Sequence, residues 1–219
     1  RYKRFLADVS LADTEVTAHC PNSGSMMGLL APGNPVWISA SDNKDRKLAF
    51  TLEMIQVDGT YVGVNTRRPN QLVVNALKEK RLKELAAYDT LKEEVKYGTN
   101  SRIDILLQGP NLPDAYIEVK NVTLKKGATA LFPDAVTTRG TKHLNELINM
   151  KKDGARAIMF YLVQRNDCRS FSAAKDIDPV YAQTLNKAIS AGVEIMVYAC
   201  DVSPNHIHLN TDTPLPFIP

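Results

Sequence analysis

From residue 1 to about residue 66 the chain carries short, alternating, β-rich runs and little helical periodicity. The runs are Tyr2 to Val9, Glu15 to His19, Pro35 to Ala40, Leu48 to Val57 and Thr60 to Asn65. Turn chemistry separates them at Pro21-Asn22-Ser23-Gly24, Pro32-Gly33-Asn34 and Asp58-Gly59. Asp58-Gly59, set between two alternating runs, predicts a tight hairpin. Short strands at this density predict a small barrel, and an OB-like β-barrel is one form of it.

The pattern changes at Asn70. Leu72, Val73, Ala76 and Leu77 have helical spacing, and Leu82, Leu85 and Ala86 extend it. Thr90 followed by Glu93 reads as a capping box, which predicts a helix starting near Leu91. Strand-like runs follow over Arg102 to Leu107 and Ala115 to Lys120, then a helix over Thr141 to Lys152 with Leu144, Leu147 and Ile148 on one face. Ala155 to Val163 is an apolar strand. Pro179 to Ala191 is a helix, with Pro179 in its first turn and Gly192 at its end, and Val193 to Ala199 is another strand. The fold class expected is α+β: a barrel over residues 1–68, then an α/β domain with a mixed sheet over residues 69–219, dividing near Arg67-Arg68-Pro69.

Composition narrows the function classes. The formal net charge is +3 and the pI is about 8.7, a mild basic excess that permits a nucleic-acid partner without requiring one. Nothing approaches the roughly 18 apolar residues of a membrane span, so no membrane role is expected. Arg1 to Phe5 has charges without an apolar run behind them, unlike a signal peptide. The chain starts without Met, and a few residues are expected to precede it in the natural protein. Cys20, Cys168 and Cys200 are widely spaced, which argues for buried free thiols in a cytoplasmic protein rather than zinc ligation.

The residues richest in chemistry are Asp104, in Arg102 to Leu107, and Glu118 and Lys120, in Tyr116 to Lys120. Strand alternation puts Glu118 and Lys120 on one side and Ile117 and Val119 on the other. The turn-rich link Gln108 to Asp114 can join the runs as an antiparallel pair, bringing Asp104 beside Glu118. Buried charges need partners or a metal. Carboxylates there can hold Mg²⁺ or Mn²⁺, and the lysine can orient a water or balance charge on phosphate. Glu94, expected on the preceding helix, is the candidate third acid. The spacing Asp-x13-Glu-x-Lys has the shape of the PD-(D/E)xK nuclease motif, with Ile103 where that motif has proline. The same residues would also serve as an ordinary salt bridge of Asp104 with Arg102 or Lys120.

A wider set of segments resembles the sugar fermentation stimulation protein A family. They are Arg1 to Val9, His19-Cys-Pro-Asn-Ser-Gly-Ser-Met26, Asn65-Thr66, Glu94-Val-Lys-Tyr-Gly98, Ser101 to Ile105, Tyr116 to Lys120, Val122 to Leu124, Phe132 to Val136, Arg139-Gly140 and Lys142 to Leu144. The resemblance implies an OB-like first domain and a restriction-endonuclease-like second one. It also implies DNA binding without strong sequence preference and a link to the regulation of sugar (maltose) metabolism. Carried over, the nuclease-like residues are Glu94, Asp104, Glu118 and Lys120, the first three as metal ligands.

For DNA, contacts mainly to phosphate are expected, from Arg4, Lys44, Arg46, Lys47, Arg67, Arg68, Arg139 and Lys142. His143 enters the same helix start. The loop Pro21 to Ser25 could offer backbone N–H groups to a phosphate or be a plain turn. His206-x-His208 lacks a third ligand nearby and reads as incidental. A non-enzymatic DNA-binding regulator, an Mg²⁺- or Mn²⁺-dependent nuclease, and an enzyme acting on a phosphorylated sugar all fit the candidate site, though no sugar-binding motif supports the last. The oligomeric state is left open, a dimer included.

Overall fold

A computed structural model describes residues 1–98 and 101–219. The first half builds a five-stranded sheet from β1 (Leu6–Leu11), β2 (Thr14–His19), β3 (Val36–Ala40), β4 (Phe50–Val57) and β5 (Thr60–Gly63). β4 is its centre, antiparallel to β3 and β5 and parallel to β2. The hairpin at Asp58-Gly59 forms as expected. Val57 pairs with Thr60, and φ is +50° at Asp58 and +77° at Gly59, the left-handed pair that a two-residue hairpin turn needs. Ala7, Leu52, Ile55, Val62 and Val64 fill the inside of this OB-like barrel with Cys20, Met26 and Leu29.

The second half has a six-stranded mixed sheet. Its members are β6 (Thr90–Tyr97), β7 (Ser101–Gln108), β8 (Ala115–Val122), β11 (Arg156–Val163), β13 (Glu194–Ser203) and β14 (His206–Leu209), in the order β14-β13-β11-β8-β7-β6. β8, β11 and β13 are parallel and the flanking strands antiparallel. A small sheet of β9 (Leu124–Lys126), β10 (Thr129–Phe132) and β12 (Ser170–Ala173) lies outside it. Helix α1 (Arg68–Lys78) covers one face of the main sheet, and α2 (Thr138–Lys152) with α3 (Pro179–Ser190) covers the other. From Ala157 to Val163 β11 is apolar, as suits a strand buried on both faces: Ile158, Phe160 and Leu162 meet the α1 side, while Met159, Tyr161 and Val163 meet α2 and α3.

Two expected helices differ. Residues 90–97 form strand β6, not a helix from Leu91. Antiparallel pairing with β7 satisfies that backbone and overrides the local capping pattern. The helix from Asn70 does not run on through Leu85. It ends at Lys78, Lys80 takes φ +56°, and a separate 3₁₀ turn spans Lys83–Leu85. The three cysteines are free and buried. Among the described residues, no helix is long and apolar enough to cross a membrane.

Candidate functional site

Strand β8 positions the first part of the site. Its Ile117 and Val119 go into the core under α1, so alternation turns Glu118 and Lys120 toward α2. There Glu118 is 2% exposed. Its Oε1 accepts from Lys120 Nζ at 2.6 Å and from His143 Nδ1 of α2. Arg139, one turn earlier, donates from Nε to His143 Nε2 at 3.4 Å. With Nε2 accepting, the Nδ1–H is the donor toward Glu118. Glu118 Oε2 is buried with no partner. Burial by itself would raise the Glu118 carboxyl, but the His143 and Lys120 contacts outweigh it and hold the group below the ordinary range.

Asp104 sits where β7 and β8 part. The two strands pair from Leu107–Ala115 to Ile105–Ile117. Beyond that point Asp104 Oδ2 accepts the Val119 N–H at 2.7 Å, in place of a strand partner, and Oδ1 accepts from Asn70 Nδ2 of α1 at 2.9 Å. Burial, and next the Glu118 charge, push the Asp104 carboxyl from 3.8 to about 6. Asp104, Glu118 and Lys120 line one cavity of about 410 Å³.

The barrel half supplies part of the cavity wall, with Asn22, Ser23, Gly24 and Thr66. That loop is pinned to the segment before α2: Asp134 Oδ2 accepts the Met26 N–H at 2.8 Å, and Ser25 Oγ donates to the Asp134 carbonyl at 2.6 Å. A Cβ on Gly24 would come within 2.7 Å of the Asp134 carboxylate, so glycine is what permits the approach.

Glu94 is not gathered into the cavity. It lies on β6 between Glu93 and Val95, which pair with Ile105 and Ile103. It has φ +53°, is exposed, and rims a neighbouring hollow. Among the described residues, no group of three His, Cys, Asp or Glu side chains is arranged to hold a metal ion. Of the three predicted ligands, Asp104 and Glu118 share the cavity, whose wall also carries Asp134. Arg139 lines the cavity, while Lys142 lies in the hollow, 3.7 Å from Glu146. Arg68 is paired with Glu53 at 3.1 Å. Arg4, Lys44 and Lys47 are exposed on the barrel half, Arg46 donates to Thr51 Oγ1, and Arg67 precedes α1. His206 and His208 have ring centroids 4.7 Å apart on β14. The role of His143 as a Glu118 partner exceeds what its sequence position conveyed. The signal available was its place one turn beyond Arg139 on an amphipathic helix.

Comparison with known proteins accounts for both halves. A profile described as "SfsA N-terminal OB domain" matches residues 1–64, and one described as "Sugar fermentation stimulation protein RE domain" matches residues 67–206. The chain belongs to the sugar fermentation stimulation protein family. A homolog from Paramagnetospirillum magneticum is 54% identical over 210 residues, covering 95% of this chain and 89% of the relative. One from Geobacter sulfurreducens is 50% identical over 216 residues, covering 98% and 92%. The structure of Pyrococcus furiosus SfsA in complex with Ca²⁺ superposes with a TM-score of 0.91 at 25% identity, covering 100% of this chain and 92% of that one. The fold is thus an OB-like barrel followed by a restriction-endonuclease-like α/β domain.

Proposed function

We propose that this chain binds DNA through its phosphates, without strong sequence preference, and hydrolyses phosphodiester bonds with a divalent cation held by Asp104 and Glu118. The two units of the proposal are residues 1–68 and 69–219, and the cation is Mg²⁺ or Mn²⁺. The observation that carries it is Glu118 Oε2, a carboxylate oxygen buried without a partner in the same cavity as an Asp104 whose carboxyl is raised to about 6. Such oxygens suit a hard cation, and the related Pyrococcus furiosus protein was solved with Ca²⁺. A bound divalent cation supplies Lewis acidity and a more acidic water. Lys120, beside Glu118, is placed to balance negative charge on an attacked phosphate. His143 and Arg139 hold the Glu118 carboxylate in one orientation. The family name ties the protein to sugar fermentation, and DNA binding of this kind would serve a regulator of sugar (maltose) metabolism as well.

The test is incubation of labelled duplex DNA, single-stranded DNA and RNA with and without Mn²⁺, using wild type and Asp104→Ala. Mn²⁺-dependent cleavage that falls at least a hundredfold in the variant, with binding retained, is expected. The absence of cleavage on every substrate, together with no Mn²⁺ effect on melting temperature, overturns the metal reading.

A further inference from the structure

A second hollow, of about 720 Å³, opens beside the carboxylate cavity, and the two share Arg139 and His143. Its other walls are Lys96, Tyr97 and Gly98 at the end of β6, Ser101 and Arg102 at the start of β7, and Lys142 on α2. Its volume is within the roughly 300–1,000 Å³ typical of ligand sites. The charge is lopsided. Among the described residues Lys96, Arg102 and Arg139 form no ion pair, and Arg102 spends its one hydrogen bond on the Glu94 carbonyl. Glu94 is the acid at the rim. Like charges gathered around one concavity repel, and a bound anion relieves that repulsion. The neighbouring cavity leans the other way, with three carboxylates, Asp104, Glu118 and Asp134, against Lys120 and the shared Arg139. One chemistry uses both: an acidic cavity that takes a cation, next to a basic hollow that takes an anion.

We infer that this hollow is a phosphate subsite for the nucleic-acid strand that passes the Asp104–Glu118 cavity, with Lys96 and Arg102 as its specific contacts. Arg139 marks the threshold between the two, so the strand crosses the first turn of α2. The inference rests on the reading of DNA as ligand and adds to it the path of the strand and a phosphate-binding role for Lys96 and Arg102. Contact to backbone phosphate predicts a contribution that is salt-dependent and indifferent to base sequence.

The experiment is fluorescence anisotropy with a labelled single-stranded DNA 12-mer in Ca²⁺, titrated over a salt series. It compares wild type, Lys96→Gln/Arg102→Gln, the charge-keeping Arg102→Lys, and Lys151→Gln/Lys152→Gln, which removes equal charge at the far end of α2. The hollow variant should bind roughly tenfold more weakly, and the slope of log affinity against log salt should fall by about 1.4, at ~0.7 per phosphate contact. Arg102→Lys should keep the wild-type slope, the α2-end variant should match wild type, and the Ca²⁺-induced rise in melting temperature should be the same in all. Equal affinity and slope in wild type and the hollow variant overturn the subsite while leaving DNA binding intact. Wild type that binds no oligonucleotide at low salt overturns both.

Discussion

Glu118 and Asp104 are two buried carboxylates in one cavity that solve the cost of burial differently. Glu118 keeps its charge because Lys120 and His143 both donate to Oε1. For Asp104, burial first and the Glu118 charge next outweigh its neutral donors, Asn70 and the Val119 N–H, so its carboxyl rises to about 6. A raised acid binds its proton more tightly when folded. Its contribution to stability therefore falls as pH rises from about 4 to about 6 and stays lost above that window. Asp104→Asn removes the charge but leaves one of the two donors without an acceptor. The net gain should be about 1 kcal/mol at pH 8 and nothing at pH 4, where Asp104 is already protonated. Thermal melts of both proteins at the two pH values test this, and a lower melting temperature for the variant at pH 8 contradicts it. The same proton must leave when a cation binds, so the Mn²⁺-induced rise in melting temperature should grow between pH 5 and pH 7. Asp104, Glu118 and Lys120 were legible in the sequence because charged residues alternating with Ile and Val stand out in strands. Glu118's second partner was not: His143 follows it by 25 residues, and only packing of α2 on the sheet brings them together.

At the scale of elements, the site depends on where α2 begins. Thr137 caps that helix by accepting the Gly140 N–H. Asp178, 3% exposed, accepts the Tyr181 N–H with Oδ1, capping α3, and the Thr137 N–H with Oδ2, which ties the two helix starts together. Asp178→Ala leaves two backbone donors without this acceptor and should cost about 2–4 kcal/mol in urea unfolding. Metal-dependent cleavage should fall with it, because Arg139 lies in the first helix turn, which Thr137 anchors, and His143 one turn further on. Asp178→Asn, keeping one acceptor, should fall between. Wild-type stability in Asp178→Ala would refute the shared cap. Spacing and Pro179 made two helices readable, over 141–152 and 179–191; α3 matches closely, but α2 starts three residues earlier, at Thr138, where the Thr137 cap sets its first turn. β6 was not: Thr90, Lys92, Glu93, Glu94 and Lys96 are exposed on an edge strand, so its polarity resembles a helix surface, and the alternation of Leu91, Val95 and Tyr97 is short. β9, β10, β12 and β14 are three or four residues each. At that length, pairing with distant partners rather than local preference makes the strand.

At the scale of the whole molecule, neither half encloses the cavity alone. Sequence periodicity separated a strand-rich first half from an α/β second half, yet it could not show that the turn Pro21 to Ser25 would close on the segment before α2. That contact is a matter of tertiary fit. Asp134 accepts the Met26 N–H, and Gly24 leaves room for its carboxylate, which a Cβ would meet at 2.7 Å. The two residues should therefore be coupled. Gly24→Ala must displace the Asp134 carboxylate and lose its bond to Met26, costing about 1 kcal/mol. In an Asp134→Ala background that obstacle and that bond are both gone, so adding Gly24→Ala should cost close to nothing. The cycle should show a coupling of about 1 kcal/mol by urea unfolding, against the near-zero coupling of independent sites. Penalties that simply add would mean that the loop does not rest on Asp134. Because the same loop walls the cavity, Gly24→Ala should also weaken Mn²⁺-dependent cleavage by more than its small loss of stability explains. A variant that cleaves as wild type does would limit the barrel half to binding and exclude it from shaping the site.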